Sequence, residues 1–490
     1  MSGVSRFGAF HYLGLMLIVL SSVFVVGAFC CVLLGESVLA PSFLLPGFFS
    51  AAIGYLMQKL TAPSELEPRQ AMSLSAVIWA IFPAIAMIPM KLNTHATWVN
   101  VYFESMSGLT ATGLTIFDNV EALPKSVLLW RSILEWIGGV GIIVFFLAIM
   151  AVKGPGATRL YVSEGRIERI KPNIIGTVLR IWWIYILYTV LGTVLFCLFG
   201  MPLFDSINHS MAAIATGGFS TKNASLAYYN SPWIEGVAIL VMLLGATSFG
   251  VHYEMLAKRI NPLRNPEFRA MLVVIAIFVP IIAASSLIIY QMPMTDAWRF
   301  SFFESVSALS GTGFSSSSLP SVNQVAKWLL TILMIIGGGY GSTSSAIKIF
   351  RLVIVLKYIW WAIRRELFPS YVFPLKYGRR QIESEEILEA FRLIFIYVAT
   401  LAVGTVLLVG LGFNVADSLF ECASAQGNVG LSVGIVSGSL SVAAQLVLII
   451  EMWVGRLEVV PVIMLMLSFA SSVRKISSRA SLYSTNNPRS

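Results

Sequence analysis

The sequence predicts an all-α polytopic membrane protein: four pseudo-symmetric helix–loop–helix repeats around one axis, preceded by two extra N-terminal transmembrane helices. Three observations lead there. The composition is that of a chain dissolved in lipid, the chain is a series of long uncharged stretches, and one thirteen-residue pattern recurs four times.

Of 490 residues, 57% are hydrophobic and only 12% charged, with a mean hydropathy of +0.82. Soluble domains carry about 25% charged residues, so this chain cannot clothe a water-facing surface. Disordered, collagenous and disulfide-scaffold classes are excluded on the same grounds. The four cysteines all lie in apolar segments without metal-ligand spacing, and the four histidines are dispersed.

Residues 7–35, 37–58, 70–90, 181–204, 236–253, 270–295, 328–347 and 393–416 contain no Asp, Glu, Lys or Arg. The stretch 136–152 is slightly shorter, and the last span falls within 442–473, interrupted by Glu451, Arg456 and Glu458. A span needs about 20 apolar residues, so ten spanning helices are expected. They divide into two extra helices (1–68) and four units at 69–160, 161–262, 263–378 and 379–490, the last including a cytoplasmic tail. With the N-terminus placed inside, 26 of the 33 Lys and Arg fall on the inner side, and six, Arg131 among them, on the outer side. The positive-inside rule then puts both termini in the cytoplasm. The net charge of +9 reflects loop asymmetry and gives no reason to expect nucleic acid as a partner.

The repeat is carried by Phe103-Glu104-Ser105, Asn208-His209-Ser210, Phe303-Glu304-Ser305 and Phe420-Glu421-Cys422, each followed by a glycine at the eleventh position: Gly113, Gly218, Gly313 and Gly430. Leu or Phe follows that glycine, and then Thr or Ser. Each copy lies between two apolar segments on the outer side, so the unit reads as helix, half-helix, extended loop, helix. Half-helix starts are expected at Asn100, Asp205 and Asp417, all capping residue types, with Phe300 at the corresponding place of the third copy.

Non-helical backbone at membrane depth is tolerated where it lines a water-filled path, and four equivalent loops imply a pore whose carbonyls replace an ion's hydration shell. The candidate filter residues are Thr110, Ala111, Thr112 and Gly113; Ala215, Thr216, Gly217 and Gly218; Ser310, Gly311, Thr312 and Gly313; and Gly427, Asn428, Val429 and Gly430. Glycine reaches positive φ at no steric cost, and the negative ends of the half-helix dipoles favour a cation in the cavity. Glu104, Glu304 and Glu421 read either as an acidic outer ring or as carboxylates satisfying the half-helix starts, and His209 takes that place in the second copy.

Two further features lie below the loops. Gly337, Gly338, Gly339, Gly341, Ser342, Thr343, Ser344 and Ser345 cannot hold a good helix in lipid; they are expected to form an irregular gating loop ending at Lys348, the alternative being a kinked, packed helix with its glycines at contacts. Arg456 is an intramembrane ionisable residue, costly without a partner; it is expected to reach the carbonyls of that loop, the alternative being a local pair with Glu451 or Glu458.

In sum, the four loops, the Trp130-Arg131-Ser132 and Trp136-Ile137-Gly138-Gly139 stretches, the Gly-Ser-Thr loop ending in Lys348, and Gly455-Arg456-Leu457-Glu458 resemble the Trk/Ktr potassium-uptake family. The TrkH/TrkG-type membrane subunits are the most similar branch. The resemblance implies K+ as the transported ion, a homodimer with one pore per protomer in the bacterial cytoplasmic (inner) membrane, and a cytosolic ring of nucleotide-binding regulatory subunits. Any nucleotide belongs to that partner, since this chain has neither a P-loop nor a strand–G-x-G-x-x-G–helix pattern; the basic segments 153–180 and 348–392 are the expected docking sites. Three departures stand out: Ser345-Ala346 where the family has a Gly pair, Glu135 where it suggests Gln, and Asn428-Val429-Gly430 in the fourth loop, which is more similar to the Ktr branch. The resemblance also implies that Gly113, where Ser is associated with Na+ permeation, favours K+. A secondary symporter coupling K+ to Na+ or H+ is the alternative, and the residues form no catalytic constellation that would suggest an enzyme.

Overall fold

The computed structural model describes residues 6–64, 66–142, 144–145, 147, 163, 174–258, 261–317, 323–371, 373–378 and 380–470. Most of the basic segment 153–180, and with it the greater part of that expected docking site, lies outside the described residues.

The chain is an all-α polytopic membrane protein. Among the described residues six helices are long and apolar enough to cross a membrane, and a pair of helices bent by 102° would make a seventh span if the two are counted as one. Helices α1 (Arg6–Leu33) and α2 (Ala40–Leu60) form a hairpin at the periphery. Small residues let the pair close up: a Cβ on Gly54 would sit 2.5 Å from the Gly14 carbonyl oxygen.

Four units follow. The first is α3 (Pro68–Ala86), α4 (Ile88–Asn93), the half-helix α5 (Trp98–Leu109) and α6 (Lys125–Val140). Next come α7 (Ile174–Leu198), the half-helix α8 (Leu203–Ala215), α9 (Pro232–Ala246) and α10 (Phe249–Lys258). The third comprises α11 (Pro266–Tyr290), the half-helix α12 (Met294–Ser310), α13 (Gln324–Ile336) and α14 (Ile349–Leu367). After a two-residue-per-strand hairpin of β1 (Lys376–Tyr377) and β2 (Arg380–Gln381), the last has α15 (Ser384–Gly410), the half-helix α16 (Val415–Gly427), α17 (Val442–Arg456) and α18 (Val460–Ala470).

Three spans expected to run straight do not. The stretch 236–253 breaks between α9 and α10 because the loop after α13 takes over its backbone groups: Gly339 donates to the Ala246 carbonyl at 2.8 Å, and the Phe249 amide donates to Gly341 at 3.2 Å. The last span breaks after Arg456, where Glu458 and Val459 have φ of 54° and 66°. With α6 ending at Gly141 (φ 97°) and α13 at Gly337 (φ 72°), the second helix of each unit is interrupted.

The half-helix starts also differ from expectation. The caps are Thr97, Pro202, Pro293 and Asn414. Asn100, Asp205 and Asp417 fall in the first turn instead, because Thr97 and Asn414 accept backbone amides with their own side chains, while prolines before the other two helices need no amide partner.

Candidate functional site

Each half-helix ends in the same way. The ninth residue of the pattern (Ala111, Thr216, Gly311, Asn428) has left-handed φ between 52° and 76°. The amide of the tenth (Thr112, Gly217, Thr312, Val429) donates five residues back, to Ser107, Ala212, Ser307 and Ser424, at 2.8 to 3.0 Å. This is the Schellman arrangement, and it turns the chain sharply out of the helix with the helix's C-terminal end facing the loop. The eleventh residue is then Gly113, Gly218, Gly313 or Gly430, with φ of 84°, 86°, 78° and 96°.

These glycines meet the neighbouring loops in a closed cycle. A Cβ on Gly113 would overlap the Gly217 carbonyl oxygen; on Gly218, that of Thr312; on Gly313, that of Val429; and on Gly430, that of Thr112. The four loops therefore surround one axis in chain order, each tenth-residue carbonyl lying against the glycine of the preceding unit, and that of the first against the glycine of the fourth. Hydroxyls thicken the wall: Thr110 and Thr112 Oγ1 lie 2.7 Å apart, Ser310 Oγ and Thr312 Oγ1 2.8 Å, and the Asn428 amide donates to Thr112 Oγ1 at 2.9 Å. Among the described residues no three His, Cys, Asp or Glu side chains cluster to hold a metal ion. The oxygen-only ring is the arrangement suited to a desolvated hard cation.

The carboxylates at the second position form neither an outer ring nor a cap. They are fully buried in mid-helix and bind the chain as it leaves the loop. Glu104 accepts from the Ile116 amide at 2.8 Å and the Thr115 hydroxyl at 3.0 Å; Glu304 from the Ser316 amide at 2.8 Å and Ser315 at 3.2 Å; and Glu421 from the Val433 amide at 2.9 Å and Ser432 at 2.5 Å. In the second unit His209 Nε2 meets Ser220 Oγ at 2.9 Å, while Asp205 accepts from Thr221 at 2.7 Å. The Thr or Ser that closes each sequence pattern is the hydroxyl in this clamp.

On the side of the ring away from the 337–348 loop lies an open vestibule of about 520 Å³, lined by Gly113, Gly218, Gly313, Gly430 and Arg131. Arg131 is not in an outer loop: it is buried within α6, where it donates to Glu104 at 2.7 Å, Thr115 at 3.1 Å and the Ser220 carbonyl at 3.2 Å. Its guanidinium stacks 4.0 Å from the centre of the Phe219 ring. A lone Arg in a charge count carries no sign of this role.

On the other side, the 337–348 segment forms an irregular loop directly beneath the ring. Thr343 lies with its hydroxyl 3.0 and 2.9 Å from the Ile214 and Gly245 carbonyls and 3.2 Å from the Thr216 hydroxyl. A Cβ on Gly311 would be 3.0 Å from Ser344 Oγ. Arg456 donates to the Thr343 carbonyl at 3.1 Å, to Ser345 Oγ at 3.2 Å, to the Gly139 carbonyl at 2.8 Å and to that of Gly138. Glu458, two residues on, is held instead by Lys348 and Arg351, each at 2.6 Å. The space enclosed between loop and arginine is only about 30 Å³, room for a water or two.

Glu135 is buried on α6, and its carboxylate accepts the Phe219 amide at 3.0 Å.

The family model for TrkH, described as a cation transport protein, matches residues 42–474. A cation transporter of Methanocaldococcus jannaschii is 37% identical over 86% of this chain and 88% of its own length. The Trk system potassium uptake protein TrkH of Salmonella typhimurium is 30% identical over 85% and 89%. The crystal structure of the potassium transporter TrkH from Vibrio parahaemolyticus superposes with a TM-score of 0.84 at 26% identity, covering 95% of this chain and 98% of that one.

Proposed function

Since the chain belongs to the TrkH family of cation transport proteins, we propose that it carries K+ across the cytoplasmic membrane of its cell, inward, through the ring formed by residues 110–113, 215–218, 310–313 and 427–430. The observation that supports this reading is the closed cycle of carbonyls and positive-φ glycines: it offers a bare cation oxygen ligands from four sides. The four units 69–160, 161–262, 263–378 and 379–490 then each contribute one quarter of the pore, and 1–68 stands outside it.

In this reading the loop 337–345, with Lys348 and Arg456, is the gate. Arg456 ties the loop to the broken end of α6 and places a positive charge on the conduction axis, which repels cations while the loop is in place. A homodimer with a cytosolic nucleotide-binding ring would open it by acting on the basic inner segments, with both termini on that side.

The test is ⁸⁶Rb⁺ uptake into proteoliposomes loaded with KCl or with NaCl. Uptake in the KCl-loaded vesicles alone is expected, and Gly113→Ser should admit Na+ as well. Equal uptake in both would overturn K+ selectivity; flux that requires Na+ or a proton gradient would establish a coupled symporter in place of a gated pore.

A further inference from the structure

The four second helices align on a glycine, Gly138, Gly245, Gly337 and Gly455, which abuts the half-helix end in the first, second and fourth units and the Ser345 carbonyl in the third. A Cβ on Gly138 would overlap the Leu109 carbonyl, one on Gly455 the Gln426 carbonyl, and one on Gly245 would come within 2.7 Å of that of Ile214. Three residues before this glycine stand Met242, Met334 and Met452 in the second, third and fourth units, but Glu135 in the first. A buried carboxylate replaces a thioether at this one place, against the loop of the next unit.

We propose that Glu135 is a specificity-determining positioning residue, holding the second filter loop in its ion-facing conformation through the Phe219 amide. This role rests on the filter reading above. The carboxylate oxygens lie 3.0 and 3.2 Å from the Phe219 nitrogen, and the side chain is fully buried. Peptide planarity carries the consequence inward. The Phe219 N–H shares its plane with the Gly218 carbonyl and points the opposite way in a trans peptide, so an N–H drawn outward to Glu135 directs the Gly218 oxygen toward the axis. At φ 86° Gly218 has no side chain to resist a peptide flip, and the acceptor supplies that resistance.

The neighbours leave no slack. A Cβ on Gly217 would come within 2.6 Å of the Glu135 carboxyl carbon, and one on Gly139 within 2.7 Å of Ala215. One turn before Glu135, Arg131 holds the Phe219 ring and the Ser220 carbonyl, so α6 grips two successive residues of the loop exit.

Glu135→Met installs the residue of the other three units and removes the acceptor; Glu135→Gln keeps an acceptor oxygen and the shape. The readout is the ratio of Na+ to K+ concentrations that half-protect the purified full-length protein against thermal unfolding, which requires no open gate. The ratio is expected to fall at least threefold in Glu135→Met and to stay within twofold of the wild type in Glu135→Gln. A wild-type ratio in Glu135→Met, or an equal fall in both variants, would overturn the positioning role. A wild type protected equally by both ions would overturn the filter reading itself, and this role with it.

Discussion

Arg456 and Thr343 belong to different units, 113 residues apart, yet the guanidinium donates to the Thr343 carbonyl at 3.1 Å while also holding the Gly139 carbonyl at 2.8 Å. One side chain thus joins the end of α17, the loop beneath the ring and the broken end of α6.

Arg456→Gln should therefore release the loop. Hydrogen bonds to charged groups contribute about 1.5–3 kcal/mol each, and a loss of about 1.4 kcal/mol shifts an equilibrium about tenfold. Partner-free ⁸⁶Rb⁺ uptake is expected to rise about tenfold. Uptake equal to that of the wild type would separate Arg456 from gating.

Gly218→Ala should damage the ring without unfolding the bundle. The left-handed conformation costs a residue with a Cβ about 1–2 kcal/mol, and the new methyl would overlap the Thr312 carbonyl. The helical circular dichroism signal is expected to persist while K+ loses its advantage over Na+ in uptake competition.

Glu104→Gln should destabilise strongly. It strands the buried Arg131 guanidinium, which now donates to Glu104 at 2.7 Å, and breaking a buried pair costs about 3–5 kcal/mol. Thr115→Val removes only a hydroxyl from the same clamp and should cost about 1 kcal/mol. Melting of the two variants in detergent should fall in that order.

Glu36 gives a pH-dependent contribution. From the turn between α1 and α2 it accepts the Lys125 and Ser126 amides at 2.9 and 2.8 Å, capping α6 from outside. Burial pushes its carboxyl up, but the hydrogen bonds from Ser126 and Lys125 and the Lys125 charge outweigh that and hold it below its ordinary value. A depressed folded value means stability present above the unfolded value of about 4.3 and lost as pH falls through the folded one. Wild type should therefore melt above Glu36→Gln at pH 7, with the gap closing under acid; a gap that persists there would contradict the cap.

The sequence by itself determined the solvent, the repeat and the chemistry of the loops. Uncharged length declares a membrane span, and glycine, Thr and Ser at fixed places act through their own backbone freedom or hydroxyl, so a linear pattern reveals them. The positions of Gly113, Gly218, Gly313 and Gly430 were legible for that reason, as was the irregular stretch 337–345. Only the tertiary structure decided which groups those residues meet. Glu104 looked like a cap or a surface charge because its partners, Thr115, Ile116 and Arg131, become neighbours only when the chain folds back across the loop. The break at 247–248 was hidden for the same reason: uncharged residues continue through it, and what ends α9 is a pair of hydrogen bonds with a loop more than ninety residues away. Local conformational preference is written in consecutive residues, whereas the partners of buried backbone and charged groups come from wherever the fold brings them.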